Sequence, residues 1–258
     1  MVRIRKPVAV ICDIEGTTTS VRFWHEVIAP FIKENLAACL QDTWTQPETI
    51  DVVLGIRHKT AEDIRNGDKE LPPILDENSP RKEMIDSIVK NVCYQMQQRK
   101  QSNELKAVHL LVWLYGYQNE LLKGHVYPDV QPAFHHWKND LGIRLFTFAT
   151  GDTIVQKMLF GCSLMGNLNP YIEDFFNYDS VGKKTDSESF RIISKRIQIN
   201  CNSMVFLSDN LAELKACQAA GVTPILVIRS HNRDLLDSSI QQSLPYKYIK
   251  TFEELEFY

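Results

Sequence analysis

The chain has 258 residues, 44% of them hydrophobic and 24% charged, the balance of a soluble globular protein with one large domain or a core carrying an insertion. A formal charge of −3 excludes the strongly basic footprint of a nucleic-acid binder and gives no reason to expect an anionic membrane surface, which leaves a small-molecule partner. Six cysteines, at 12, 39, 93, 162, 201 and 217, form no Cys-x-x-Cys pair and have no histidine at zinc-finger spacing, so they read as the reduced thiols of an intracellular protein.

The first predicted element is a strand, Val8-Ala-Val-Ile-Cys12, a continuous apolar and β-branched run of the kind buried on both faces of a parallel sheet. Basic residues precede it, but the apolar run stops at Asp13, short of the roughly 7–15 residues of a signal-peptide core. No run approaches the roughly 18 apolar residues of a membrane span. Residues 21–124 then read as a helical insertion. Phe23 to Leu40, Arg81 to Gln98 and Leu105 to Lys123 are amphipathic or apolar helical stretches, with a proline-rich loop from Lys69 to Pro80 and no strand. Trp113, Tyr115 and Tyr117 are expected mainly to pack the core of this insertion.

After Gly124 the pattern becomes alternating. Strands are predicted at Ile143–Phe148, Ser203–Leu207 and Thr223–Ile228, separated by helices at Asp152–Phe160, Ser187–Ile199 and Ala212–Ala220, the last closed by Gly221. The expected fold class is α/β: a Rossmann-like parallel-sheet core, residues 1–20 and 125–258, with an inserted helical cap, residues 21–124.

Ligands of open α/β sheets sit beyond the carboxyl ends of the strands. Three of the four predicted strands end in polar groups suited to one site: Asp13-Ile-Glu15-Gly-Thr-Thr, Ala149-Thr150-Gly151, and Ser208-Asp209-Asn210. Gly182-Lys183-Lys184 lies between the second and third. Asp13, Glu15 and Asp209 offer hard oxygen ligands for Mg²⁺, which typically takes one or two carboxylates and keeps water and substrate phosphate. An aspartate held there can attack phosphorus and form an aspartyl-phosphate. Thr150 and a lysine would hold phosphoryl oxygens, and Gly16 and Thr17 would offer backbone N–H groups. Glu213 reads equally as an orienting group for bound water or as a first-turn helix acid. The histidines, His135-His136 included, lack ligand spacing and read as surface or hydrogen-bonded side chains.

Asp-x-Glu-Gly-Thr after an apolar strand, with Thr150, a lysine and Asp209 following in order, resembles the motifs of the haloacid-dehalogenase-like phosphohydrolases. A sharper resemblance is to the enolase-phosphatases of methionine salvage. It is carried by Asp13-Ile-Glu-Gly-Thr-Thr-Thr19, Asn91-Val-Cys-Tyr-Gln-Met96, Gln156-Lys-Met-Leu-Phe-Gly161, Ser187-Glu-Ser-Phe190 and Phe206-Leu-Ser-Asp209. The resemblance implies conversion of 2,3-diketo-5-methylthiopentyl-1-phosphate to the acireductone 1,2-dihydroxy-3-keto-5-methylthiopentene plus phosphate, with one Mg²⁺ per subunit. It assigns Asp13 as nucleophile and metal ligand, Glu15 as metal ligand and acid/base, Asp209 as metal ligand, and Ala149, Thr150 and Lys184 as substrate-binding residues. Lys184 fits the register of the third motif better than Lys183. Ala149 departs from the family's Ser-Ser-Gly and offers backbone groups only. A monomer is expected, cytoplasmic and also nuclear. The alternatives are a related Mg²⁺-dependent phosphatase for another small phosphorylated metabolite, and an inactive binding module that keeps the fold.

Overall fold

The computed structural model describes residues 1–236 and 245–258. They form two compact units, Met1–Phe23 with Lys123–Tyr258, and Trp24–Leu122.

In the first unit, β1 (Val2–Ile4) is followed by β2 (Ala9–Cys12), whose four residues are all buried because the sheet continues on both sides and both faces are covered. The sheet adds β3 (Arg144–Ala149), β4 (Ile172–Asn177), β5 (Met204–Ser208), β6 (Thr223–Val227) and β7 (Lys247–Ile249), in the all-parallel order β4-β3-β2-β5-β6-β7. A two-stranded parallel pair joins β1 to β8 (Leu255–Phe257). The expected α/β core with a helical insertion between two sheet strands is the fold observed.

The second unit holds α1 (Ala29–Thr43), preceded by a π-helical stretch from Trp24 to Ile28, then α2 (Pro47–Arg65), α3 (Arg81–Gln97) and α4 (Asn103–Gln118). Its interior is built from i, i+3, i+4 rows: Ile32, Leu36 and Leu40; Ile85, Ile88 and Val92; Leu105, Val108 and Val112. Gly116 permits the closest approach, since a Cβ there would lie 2.5 Å from the Phe31 ring. The Lys69–Pro80 loop is fastened where buried Asn91 donates to Pro72 O at 2.6 Å and to Thr60 Oγ1 at 3.2 Å, while Gln95 donates to Asn91 Oδ1 at 2.7 Å. α4 stops at Gln118, five residues before the expected end, and Glu120 takes a left-handed φ of 59°. Trp113 and Tyr117 stack at 6.4 Å, whereas the Tyr115 hydroxyl donates to Asp42 at 2.7 Å.

Back in the first unit, α5 (Val130–His135), α6 (Thr153–Gly161), α7 (Tyr178–Val181), α8 (Ser187–Ile197) and α9 (Leu211–Ala219) complete the helices that position the site. Asp152, Asp186 and Asn210 each cap a helix by accepting the backbone N–H two residues on. Phe190, Ile193 and Ile197 bury one face of α8 against a core that includes Ile11, Phe148 and Phe206. Gly221, at φ +90°, ends α9 as expected. Among the described residues no helix is long and apolar enough to cross a membrane.

Candidate active site

From β2 the strand order runs one way through β3 and β4 and the other way through β5, β6 and β7. The crevice at the carboxyl ends of β2 and β5 is therefore the topological switch point, where open parallel sheets bind ligands. Asp13 leaves β2 at this point, 1% exposed, with its N–H donating to Leu207 O of β5 at 2.9 Å. Asp209 leaves β5 beside it. Thr17 joins the two: its hydroxyl donates to Asp13 Oδ2 at 3.2 Å and accepts from Asp209 N at 3.1 Å. Gly16, at φ +86°, is required by this closeness, because a Cβ on it would lie 2.3 Å from Asp209 Oδ2.

Lys184, in the turn before α8, places Nζ 2.5 Å from Asp13 Oδ1 and 3.0 Å from Glu213 Oε1. Glu213 is also buried and accepts from Ser208 Oγ at 2.8 Å, so it is a member of the charged cluster as well as a first-turn acid of α9. Lys183 is exposed, and its carbonyl accepts from Ser189 Oγ at 2.7 Å. Burial pushes the Asp13 carboxyl up to about 7; Lys184 pulls it back, and Glu213 and Asp209 add to the rise. Burial would lower Lys184, but the Asp13 and Glu213 carboxylates hold it above the usual lysine range. Two carboxylates thus meet one ammonium, and the charge of a third, Asp209, acts on Asp13.

The remaining expected residues are placed less centrally. Ala149 is buried at the end of β3, level with Asn177 of β4. Thr150, the next residue, is exposed. Gln156 fixes the turn beyond them by accepting from Thr147 Oγ1 at 2.7 Å and donating to Gly151 O and Phe176 O at 3.0 Å each. Glu15 is exposed, bridges Thr19 through its backbone, and makes no side-chain hydrogen bond or ion pair among the described residues. The expectation of free N–H groups at Gly16 and Thr17 fails. Gly16 N donates to Thr19 O at 2.8 Å and Thr17 N to Ile14 O at 3.3 Å, because the loop closes on itself.

Three further side chains lie around the Asp13–Thr19 loop. Arg229, 6% exposed, donates to Thr17 O at 2.9 and 3.1 Å and to both Asp129 oxygens at 3.0 Å, tying that loop to the end of β6. His125 Nδ1 accepts from Ser20 N at 3.2 Å and lies 2.9 Å from Thr19 Oγ1. His231 Nε2 lies 2.8 Å from Asp209 Oδ2, so one histidine without ligand spacing stands at the site. The same strand-end rule, applied to the fourth predicted strand, points to Arg229 and His231.

The family model of the haloacid dehalogenase-like hydrolases matches residues 8–221, a span that includes Asp13, Lys184, Asp209 and Glu213. The UTR4 protein of Saccharomyces cerevisiae shares the fold, with a TM-score of 0.72 at 23% identity over 97% of this chain and 100% of that one. A putative hydrolase of the same class, YfnB from Bacillus subtilis, solved bound to magnesium, superposes with a TM-score of 0.54 at 12% identity over 97% of each chain. The enolase-phosphatase E1 of Anopheles gambiae is 35% identical over 96% of this chain and 82% of its own length. This chain belongs to the enolase-phosphatase E1 family of haloacid dehalogenase-like hydrolases.

Proposed function

We propose that the chain is a Mg²⁺-dependent enolase-phosphatase that converts 2,3-diketo-5-methylthiopentyl-1-phosphate to 1,2-dihydroxy-3-keto-5-methylthiopentene and phosphate, as a cytoplasmic monomer. The observation that carries this reading is the buried Asp13 carboxylate at the switch point, paired with Lys184 and adjoining Asp209. The six described cysteines are all free, which supports the reducing compartment.

The donor set suits one Mg²⁺. Asp13, Asp209 and Glu15 are the proposed hard-oxygen ligands, and the three carboxylates of Asp13, Glu213 and Asp209 outnumber the one ammonium, an excess of negative charge that a divalent cation offsets. Among the described residues no three His, Cys, Asp or Glu side chains form a cage, and Mg²⁺ at phosphate sites does not need one. When bound, Mg²⁺ neutralises the repulsion between the Asp13 carboxylate and a phosphate dianion.

The residues then divide the work. Enolisation removes a proton from the carbon beside a carbonyl, and Glu15, exposed at the tip of the nucleophile loop, is the proposed acid/base. Asp13 next attacks phosphorus; the bond from phosphorus to the enol oxygen breaks, the enol departs, and water hydrolyses the acyl phosphate to restore the carboxylate. Lys184 holds positive charge against the phosphoryl oxygens throughout. Ala149, through its backbone, and Thr150, through its hydroxyl, bind the remaining polar groups of the substrate.

The test supplies the diketone phosphate to the purified protein with Mg²⁺ and follows enol absorbance and free phosphate together. Both should appear and both should stop on chelation. Phosphate release from an aryl phosphate without turnover of the diketone would transfer the site to another substrate, and no release from either would leave a binding module.

A further inference from the structure

His231 is the feature of the site that the reaction above does not use. It sits four residues beyond the end of β6, in the short 3₁₀ segment from Ser230 to Leu236. Its loop is held from three sides. Asn232 accepts from Arg229 N at 2.8 Å and donates to Val227 O at 3.1 Å, and the Arg229 guanidinium is bound to Thr17 O and Asp129. The imidazole is thereby presented to Asp209 on a braced support, with Nε2 at 2.8 Å from Oδ2. An ionised carboxylate only accepts, so the proton of this hydrogen bond belongs to Nε2. Among the described residues the other nitrogen, Nδ1, is buried and has no hydrogen-bond partner, so the polar contact of the ring is the one to Asp209.

Asp209 is confined on its other side as well. Gly16 approaches Oδ2 so closely that a Cβ would lie 2.3 Å from it, and Thr17 Oγ1 holds its backbone N–H. One carboxylate oxygen is therefore fixed between the Gly16 backbone and the imidazole.

We propose that His231 is a positioning residue for metal binding: its Nε2–H orients the Asp209 carboxylate and so raises the affinity of the site for Mg²⁺. The inference rests on the reading of Asp209 as a metal ligand. Outer hydrogen-bond partners of ligating side chains typically set affinity by about 10- to 100-fold.

Isothermal titration of the full chain with MgCl₂, in the absence of substrate, tests it on the wild type, His231→Ala and His231→Gln. The alanine variant should bind Mg²⁺ about tenfold more weakly. Glutamine, whose amide N–H can donate to Asp209, should recover most of that loss. Thermal melts confirm that both variants fold; if alanine does not, the glutamine variant is compared with His231→Leu, which keeps bulk and lacks a donor. Equal Mg²⁺ affinity in the wild type and the donor-less variant would overturn the proposal, as would a loss that glutamine fails to restore. A wild type that binds no Mg²⁺ would instead remove the metal-dependent reading on which the inference rests.

Discussion

Lys184 is fixed by two acids at once, and that sets what its removal does. Without the ammonium, Asp13 and Glu213 remain buried with no side-chain cation between them, and on the proposed role the phosphoryl oxygens lose their positive partner. Lys184→Ala should lower turnover by on the order of 10²-fold or more, the usual consequence of losing a transition-state charge contact. Lys183→Ala should stay near the wild type, because that side chain is exposed and only its carbonyl is engaged. Steady-state rates of the two variants decide the matter, and reversed effects would give the phosphate to the wrong lysine. Asp13 and Asp209 are legible from residue type and strand-end position, and Lys184 from its register against the third motif of the family the chain resembles. Glu213 is only half legible, as an orienting group or a first-turn helix acid, and His231, which the strand-end rule reaches, has the common explanation of a loop histidine; only the fold shows what each touches.

The loop that carries Asp13, residues 13–19, is an element whose shape depends on one backbone position. Gly16 needs both its positive φ and its missing Cβ. Gly16→Ala should displace the Asp209 carboxylate, weakening Mg²⁺ binding and lowering phosphate release while the sheet keeps its far-ultraviolet circular dichroism. Unchanged Mg²⁺ titration in this variant would show that Asp209 tolerates the shift and that its observed placement is not needed. The four strands expected from continuous apolar runs are present because each is buried between neighbours. β4 is not legible in the sequence because Ile172-Glu-Asp-Phe-Phe-Asn177 places two exposed acids inside an edge strand, breaking both the apolar run and the strict alternation. β1, β7 and β8 are three residues each, too short to carry a period. α2 is hidden in the sequence because its buried row is Thr49, Val53, Ile56 and Thr60, so half of the positions facing inward are polar by type.

For the whole molecule, metal, proton and fold are linked through Asp13. Burial raises its carboxyl to about 7, so part of the metal-free protein carries a proton there at neutral pH. On the proposed role of Asp13 as a metal ligand, Mg²⁺ needs the ionised form and would expel that proton. The sign follows: the protonated fraction grows as pH falls through about 7, so Mg²⁺ affinity should decline from pH 8 to pH 6 and proton release per bound ion should rise. Calorimetry in two buffers of different ionisation enthalpy reads this directly. Proton uptake, or release that grows toward pH 8, would contradict it. Because Mg²⁺ binds the folded state, it should also raise the melting temperature of the wild type, and much less that of Asp209→Asn.

Asp13 as the nucleophile is the point on which everything else depends. Phosphate transfer requires its carboxylate oxygen, whereas enolisation requires only loss of a proton beside a carbonyl. In Asp13→Asn the amide keeps an oxygen and the size of the side chain but is a very poor nucleophile. The decisive measurement follows enol absorbance and free phosphate together when this variant is mixed with the diketone phosphate and saturating Mg²⁺. Slow formation of the enol phosphate with no release of phosphate is the predicted result. Stoichiometric phosphate from Asp13→Asn, in a preparation shown to be free of other phosphatases, would contradict the account.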